Sequence, residues 1–189
     1  MSNKPKFYAG IGSRDTPSNI TDAMIRCGGY LYTENWVLRS GSAYGADAAF
    51  EYGHDLFASK SNPPQNRKEI YLPWSRYNNS ISFLTPYNHP WTDDEISFAA
   101  DHHPAWWNCS SRARNLHIRN GRILRGLPGN ENVKFIVCWT EAAMIKGGAG
   151  QALRMAQTLN IPVFNFGTAS NRNEIDEILS EIDEFQKGF

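Results

Sequence analysis

The chain has 189 residues, 41% of them hydrophobic and 20% charged, a balance that suits one globular domain with a real core and excludes a disordered chain. Its 19 basic and 19 acidic residues give a formal net charge of zero, which argues against nucleic acid as the partner because such binders carry a basic excess. Cys27, Cys109 and Cys138 stand far apart with no C-x-x-C pair, so neither a disulfide framework nor a zinc site is expected.

The opening Met1-Ser2-Asn3-Lys4-Pro5 lacks the apolar run of a signal peptide, and no stretch is apolar enough to span a membrane, which places the protein in the cytoplasm. A first buried strand over Lys6–Ile11 ends in Gly10-Ile11-Gly12-Ser13-Arg14. Thr16 reads as an N-cap, with Pro17 at the first helical position. Ile20, Met24, Cys27 and Leu31 follow at helical spacing, and Gly28-Gly29 weakens that helix locally. Trp36–Ser40 is a second strand, running into Gly41-Ser42-Ala43-Tyr44-Gly45-Ala46-Asp47 and a helix whose apolar face carries Ala49, Phe50 and Phe57. A polar loop over 59–67 with Pro63-Pro64 leads to a third strand, Glu69–Leu72.

Residues 73–108 form an aromatic-rich insertion, with a short helix expected over Asp93–Asp101; a loop of this length in a compact domain is usually functional. A helix over Ser110–Arg125 follows, and a local basic patch is open where Arg112, Arg114, Arg119, Arg122 and Arg125 cluster. Val133–Trp139 is a fourth strand, and Gly147-Gly148-Ala149-Gly150 opens a helix carrying Ala152, Met155, Ala156 and Leu159 on one face. A fifth strand over Pro162–Phe166 and a last helix with Ile175, Ile178, Leu179, Ile182 and Phe185 complete the chain. Alternation of strand and helix predicts an α/β fold: a Rossmann-like, doubly wound parallel sheet of about five strands in the order 3-2-1-4-5. Residues 1–189 make a single domain on this reading.

Glycine-rich loops follow strands one, two and four. Glycine admits close backbone approach, and helix N-termini expose N–H groups that attract anions. The order 3-2-1-4-5 gathers all three loops at the carboxyl edge, where ligands bind in such folds. The expected pocket takes Gly10, Gly12, Ser13 and Arg14 from the first loop and Ser40, Gly41, Ser42, Gly45 and Asp47 from the second. It takes Gly147, Gly148, Ala149, Gly150 and Gln151 from the third. Arg14 offers a charged fork for phosphate. Asp47 caps and orients the second helix or bonds a ribose hydroxyl.

These segments resemble the SLOG superfamily, which includes the DNA-processing protein A family and the LOG phosphoribohydrolases. Gly10-Ile11-Gly12-Ser13-Arg14 is similar to the group's first-loop motif, and Ser40 to Asp47 resembles the second loop of the DNA-processing family. Arg119-Asn120-Gly121-Arg122 resembles that family's Arg-Asn segment and adds Arg119 and Asn120 to the site. Leu72-Pro73-Trp74, His103-Pro104-Ala105-Trp106 and Cys138-Trp139-Thr140 resemble compact members encoded by bacteriophages, for which the location would be the host cytoplasm. The LOG resemblance implies hydrolysis by an arginine, matched by Arg119, and a glutamate just inside the helix after the third loop. Arg154 stands there instead, and a cation cannot serve as acid or base. Glu51 and Glu141 are the carboxylates open to replace it.

The expectation is therefore a binding protein for a nucleotide-like small molecule, such as an immune signalling nucleotide held by a phage-encoded sponge. A nucleotide N-glycosidic hydrolase and a single-stranded DNA binder of the DNA-processing type are the alternatives. No cofactor and no metal are expected, since adjacent His102 and His103 cannot both face one ion and read as locally hydrogen-bonded. Trp74 and Trp106 are candidates for stacking a base, with core filling as the competing role. The resemblance and the aromatic surface of 73–107 also imply a homo-oligomer.

Overall fold

A computed structural model describes residues 4–61 and 65–189. The opening residues 1–3 and part of the predicted loop at Asn62, Pro63 and Pro64 lie outside the described residues.

The run from Lys6 to Gly12 forms the central strand, β1, buried on both sides as its unbroken apolar character requires. β2 (Trp36–Ser40) and β4 (Ile136–Trp139) flank it in parallel register, with Tyr8 opposite Leu38 and Ile11 opposite Cys138. β3 (Lys68–Ile70) and β5 (Val163–Asn165) form the edges, so the order is β3-β2-β1-β4-β5, all parallel. The alternation of β1 divides the core in two. Phe7, Ala9 and Ile11 face one side and pack with α4 (Ser111–Arg125) and α5 (Gly147–Thr158) through Ile118, Ile123, Leu153 and Met155. Tyr8 faces the other side, against α1 (Ser18–Thr33), α2 (Ala46–Ala58) and α6 (Arg172–Gln186) through Met24, Leu31, Phe50 and Ile182.

Several boundaries differ from the sequence expectation for identifiable reasons. Pro17 is the cap residue of α1 and Ser18 begins the helix, because the Thr16 hydroxyl donates to Ser13 O (2.7 Å) inside the preceding loop. The Gly28-Gly29 pair does not weaken α1 visibly. A Cβ on Gly28 would lie 2.9 Å from Phe50 O and one on Gly29 2.4 Å from the Phe57 ring, so the pair lets α2 approach. β4 starts later than expected because Val133 N–H donates to Leu124 O (2.8 Å) before the ladder begins. β3 ends earlier: Leu72 N–H leaves the sheet for Leu84 O (2.9 Å), and the Ser82 hydroxyl donates to Ile70 O (2.6 Å).

The segment after β3 is more ordered than a long loop. It contains α3 (Asp93–Asp101), capped by Thr92 and Glu95 in a reciprocal capping box, and short 3-10 turns at Tyr77–Asn79 and Trp106–Asn108. Buried Arg122 of α4 braces it, donating to Glu95 (2.5 Å), His89 O (2.7 Å) and Pro90 O (2.8 Å). The arginines of α4 accordingly do not form one patch. Arg119 and Arg122 point inward, Arg125 pairs with Asp94, and Arg114 donates to the Trp106 and Trp107 carbonyls. Among the described residues, no helix is long and apolar enough to cross a membrane.

Candidate functional site

Three loops leave the carboxyl ends of β1, β2 and β4 side by side. The first two are locked together. Gly45 adopts a left-handed φ of 76°, and a Cβ there would lie 2.4 Å from Ser13 O and 2.5 Å from Arg14 O. The Ser40 hydroxyl donates to Gly10 O (2.7 Å), tying the strand ends below them.

Asp47 organises the second loop from within α2. Its carboxylate accepts the N–H groups of Gly41 (3.2 Å) and Ala43 (3.3 Å) and faces Arg119 Nη1 at 3.5 Å. It therefore holds the loop before its helix, and the N-cap position itself belongs to Gly45. Burial raises the Asp47 pKa, opposed by Arg119 and by the backbone amides.

Between these loops, α4 and the start of α5 lies a cavity of about 520 Å³. Of the residues expected at the site, Gly12, Ser13, Arg14, Asp47, Arg119, Asn120, Gly147, Gly148 and Ala149 line it. Gly10, Ser40, Gly41, Ser42, Gly45, Gly150 and Gln151 lie behind that surface and shape the loops or the helix. Gln151 is fully buried. Its amide nitrogen donates to Ala99 O (3.1 Å), while Oε1 accepts from Asn120 (3.1 Å) and meets His117 Nδ1 at 3.2 Å.

The start of α5 is the part most suited to an anion. Lys146 occupies the N-cap and makes no side-chain cap. Intrahelical bonding begins with Gly150 N–H to Lys146 O, so the amides of Gly147, Gly148 and Ala149 lack helical acceptors. A Cβ on Gly147 or Gly148 would meet nothing within 4 Å, so the space in front of these amides is open. Lys146 and Arg14 are exposed beside it.

Sequence reasoning missed several lining residues. Tyr77 is buried, accepts a hydrogen bond from Arg14 Nη2 (3.2 Å), and has its ring 5.9 Å from the Arg119 guanidinium. Its only sequence signal was membership of an aromatic-rich segment. His117 also lines the cavity, and burial lowers its pKa, leaving the imidazole neutral at pH 7. Thr140, Met144 and Lys146 arrive from the turn between β4 and α5.

Other candidates sit elsewhere. Trp106 does not line the cavity; it is 6% exposed and packs in the core, where it fills volume. Trp74 does not line the cavity; it is half-buried between Tyr77 (5.1 Å) and the Arg112 guanidinium (4.7 Å). Of the two substitute carboxylates, Glu141 lines the cavity and Glu51 does not. Burial raises Glu51 to about 7, with Lys68 opposing at 3.8 Å. Arg154 does not line the cavity; it donates to His102 O (2.9 Å). His102 spends both ring nitrogens locally, on Phe98 O and Thr158 Oγ1, each at 2.7 Å.

The architecture is that of a Rossmann-like α/β domain fold with an open cavity at the carboxyl edge of its sheet. No protein-family model matches the chain, and no curated protein matches its sequence. Among solved structures it is similar in fold to DNA processing protein A from Helicobacter pylori, described by its single-stranded DNA binding mode. The TM-score is 0.56 at 16% identity, covering 99% of this chain and 83% of that one. This likeness corrects the exclusion of nucleic acid drawn from net charge. A fold neighbour binds single-stranded DNA, and a total of zero says nothing about how charges are distributed over the surface.

Proposed function

We propose that the chain binds single-stranded DNA, seating one backbone phosphate at the start of α5 with the attached nucleotide in the adjoining cavity. The observation that carries this reading is the trio of unpaired amides at Gly147, Gly148 and Ala149, open to the cavity and flanked by Lys146. Helix N-termini of this kind attract phosphate through their N–H groups and dipole. Arg14 adds a charge-assisted donor and Tyr77 an aromatic wall. Outside the cavity, exposed Arg112 lies on the first turn of α4 and Trp107 just before it, a cation and a ring for neighbouring nucleotides. The fold likeness to a single-stranded DNA-binding protein supports a strand over a free nucleotide.

A free nucleotide or nucleotide-derived signal is the second reading, favoured by the cavity volume of about 520 Å³, within the range of small-molecule pockets. Fluorescence anisotropy with labelled oligonucleotides separates the two. The expected outcome is binding of single strands over duplex, weakening as salt rises, with mononucleotides competing only at far higher concentration. Tight binding of a mononucleotide with no affinity for any oligonucleotide would establish the second reading instead.

A further inference from the structure

We propose that His103, Cys109 and His117 form a three-ligand site for a zinc-class divalent cation beside the cavity. Their donor atoms lie within 4.8 Å of one another, the one such group found among the described residues. Separate elements deliver them. His103 follows α3, Cys109 closes the turn Trp106–Asn108, and His117 stands on α4.

The distances suit a tetrahedral ion. Cys109 Sγ is 3.7 Å from His103 Nδ1 and 3.8 Å from Nε2. A tetrahedron with a metal–sulfur bond of about 2.3 Å and a metal–nitrogen bond of about 2.05 Å has a sulfur–nitrogen edge of about 3.6 Å. The two imidazoles are tilted 52° to each other, with ring centres 4.2 Å apart.

The surrounding hydrogen bonds prepare His117 for this role. Gln151 donates its amide N–H to Ala99 O, which turns its Oε1 toward His117 as an acceptor. The proton of His117 must then sit on Nδ1, leaving the Nε2 lone pair free. Metal-binding histidines are held in the same way, with the second ring nitrogen donating to a carbonyl. The competing local bonds are weak. Cys109 donates to Ala105 O across 3.5 Å, and His103 Nδ1 accepts from the exposed Ala105 N–H at 3.2 Å. Binding releases the thiol proton to solvent, and water can take over the Ala105 amide.

Two imidazoles and one thiolate select a borderline-soft ion such as Zn²⁺ over Mg²⁺ or Ca²⁺. With three protein ligands, a fourth position stays open for water or a ligand oxygen. No local sequence motif marks the site, because His103 and His117 belong to different elements and meet only in the fold.

The test uses untagged protein stripped with a chelator and then titrated with Co²⁺ and Zn²⁺. One equivalent of Co²⁺ per chain is expected, with a near-ultraviolet thiolate charge-transfer band that Zn²⁺ abolishes. Cys109→Ser should remove the band and weaken Zn²⁺ binding at least tenfold, while the metal-free melting temperature stays unchanged. A wild-type titration without stoichiometric binding overturns the proposal, and this holds even where the variant folds poorly. So does a band that survives in Cys109→Ser, because buried Cys27 or Cys138 would then be its source. These readouts are independent of DNA binding.

Discussion

The guanidinium of Arg119 occupies the volume that a side chain at Gly41 would need: a Cβ built on Gly41 would lie 1.1 Å from Nη1. The second loop is thus cut to admit an arginine from a helix on the opposite face of the sheet, which meets buried Asp47 there. Gly41→Ala is expected to push the guanidinium out and leave Asp47 with its amide partners alone. The cost should be roughly 3–5 kcal/mol, the range for breaking a buried ion pair. Urea unfolding checks it, and the double variant Gly41→Ala, Arg119→Met should be no less stable than Arg119→Met alone.

Stability should depend on pH through two groups of α2, half-buried Glu51 and buried His54, with opposite signs. Glu51 is raised by burial from 4.5 to about 7, so the folded state holds a proton that the unfolded state has lost between these values. Its contribution to stability falls as pH rises through that window, by roughly 3 kcal/mol in total. His54, which lies 2.8 Å from the Tyr8 hydroxyl, is lowered by burial from 6.5 to about 3. Stability from this group is lost as pH falls from 6.5 toward 3, because the unfolded state takes up the proton first. Between pH 4.5 and 6.5 the two slopes oppose each other and nearly cancel in the wild type, so Glu51→Gln should turn that plateau into a rise of stability with pH set by His54 alone. Thermal melts across pH 4–8 that superimpose for both proteins would contradict this.

Gly148→Val should abolish oligonucleotide binding while leaving the fold intact. A Cβ there meets nothing within 4 Å, so the new methyl groups fill only the space in front of the α5 amides. Gly12→Val is a different experiment. Its Cβ would lie 2.6 Å from Trp139 O and 2.8 Å from the Ala46 Cβ, so it should unfold the protein. Anisotropy and melting temperature measured together distinguish the outcomes, and normal binding by Gly148→Val would remove phosphate from the start of α5.

Arg14→Ala should weaken oligonucleotide binding by roughly 1.5–3 kcal/mol, the worth of a charged hydrogen bond. The slope of log affinity against log salt should fall by about one, as for loss of a single phosphate contact. Tyr77→Phe keeps the aromatic wall but frees Arg14 from its 3.2 Å bond, so it should change affinity far less than Arg14→Ala. Equal losses in the two variants would mean that Tyr77 positions the arginine.

The sheet order was legible because glycine-terminated strands and helical periodicity agree along the whole chain. The helix at Asp93–Asp101 was legible for its length and acidic start. What stayed hidden was direction. Stacking and core filling were both open for Trp106, which is buried, and Arg122 read as part of a basic patch, yet it is buried because Glu95 neutralises it and two carbonyls accept its remaining N–H groups. Tyr77 and His117 reach the cavity from segments that local pattern does not orient. The bonds that Asp47 accepts from Gly41 and Ala43 run backward along the chain, which a helix-capping pattern does not anticipate.

The outer strands β3 and β5 have three residues each, and on the exposed side of β3 the Ile70 carbonyl is already taken by the Ser82 hydroxyl. A sheet grows between molecules only when an edge offers a row of unpaired amides and carbonyls. Edges this short offer too few to template another strand. Concentrated protein should therefore stay free of cross-β fibrils, and any self-association should run through side chains and leave the sheet at its own five strands.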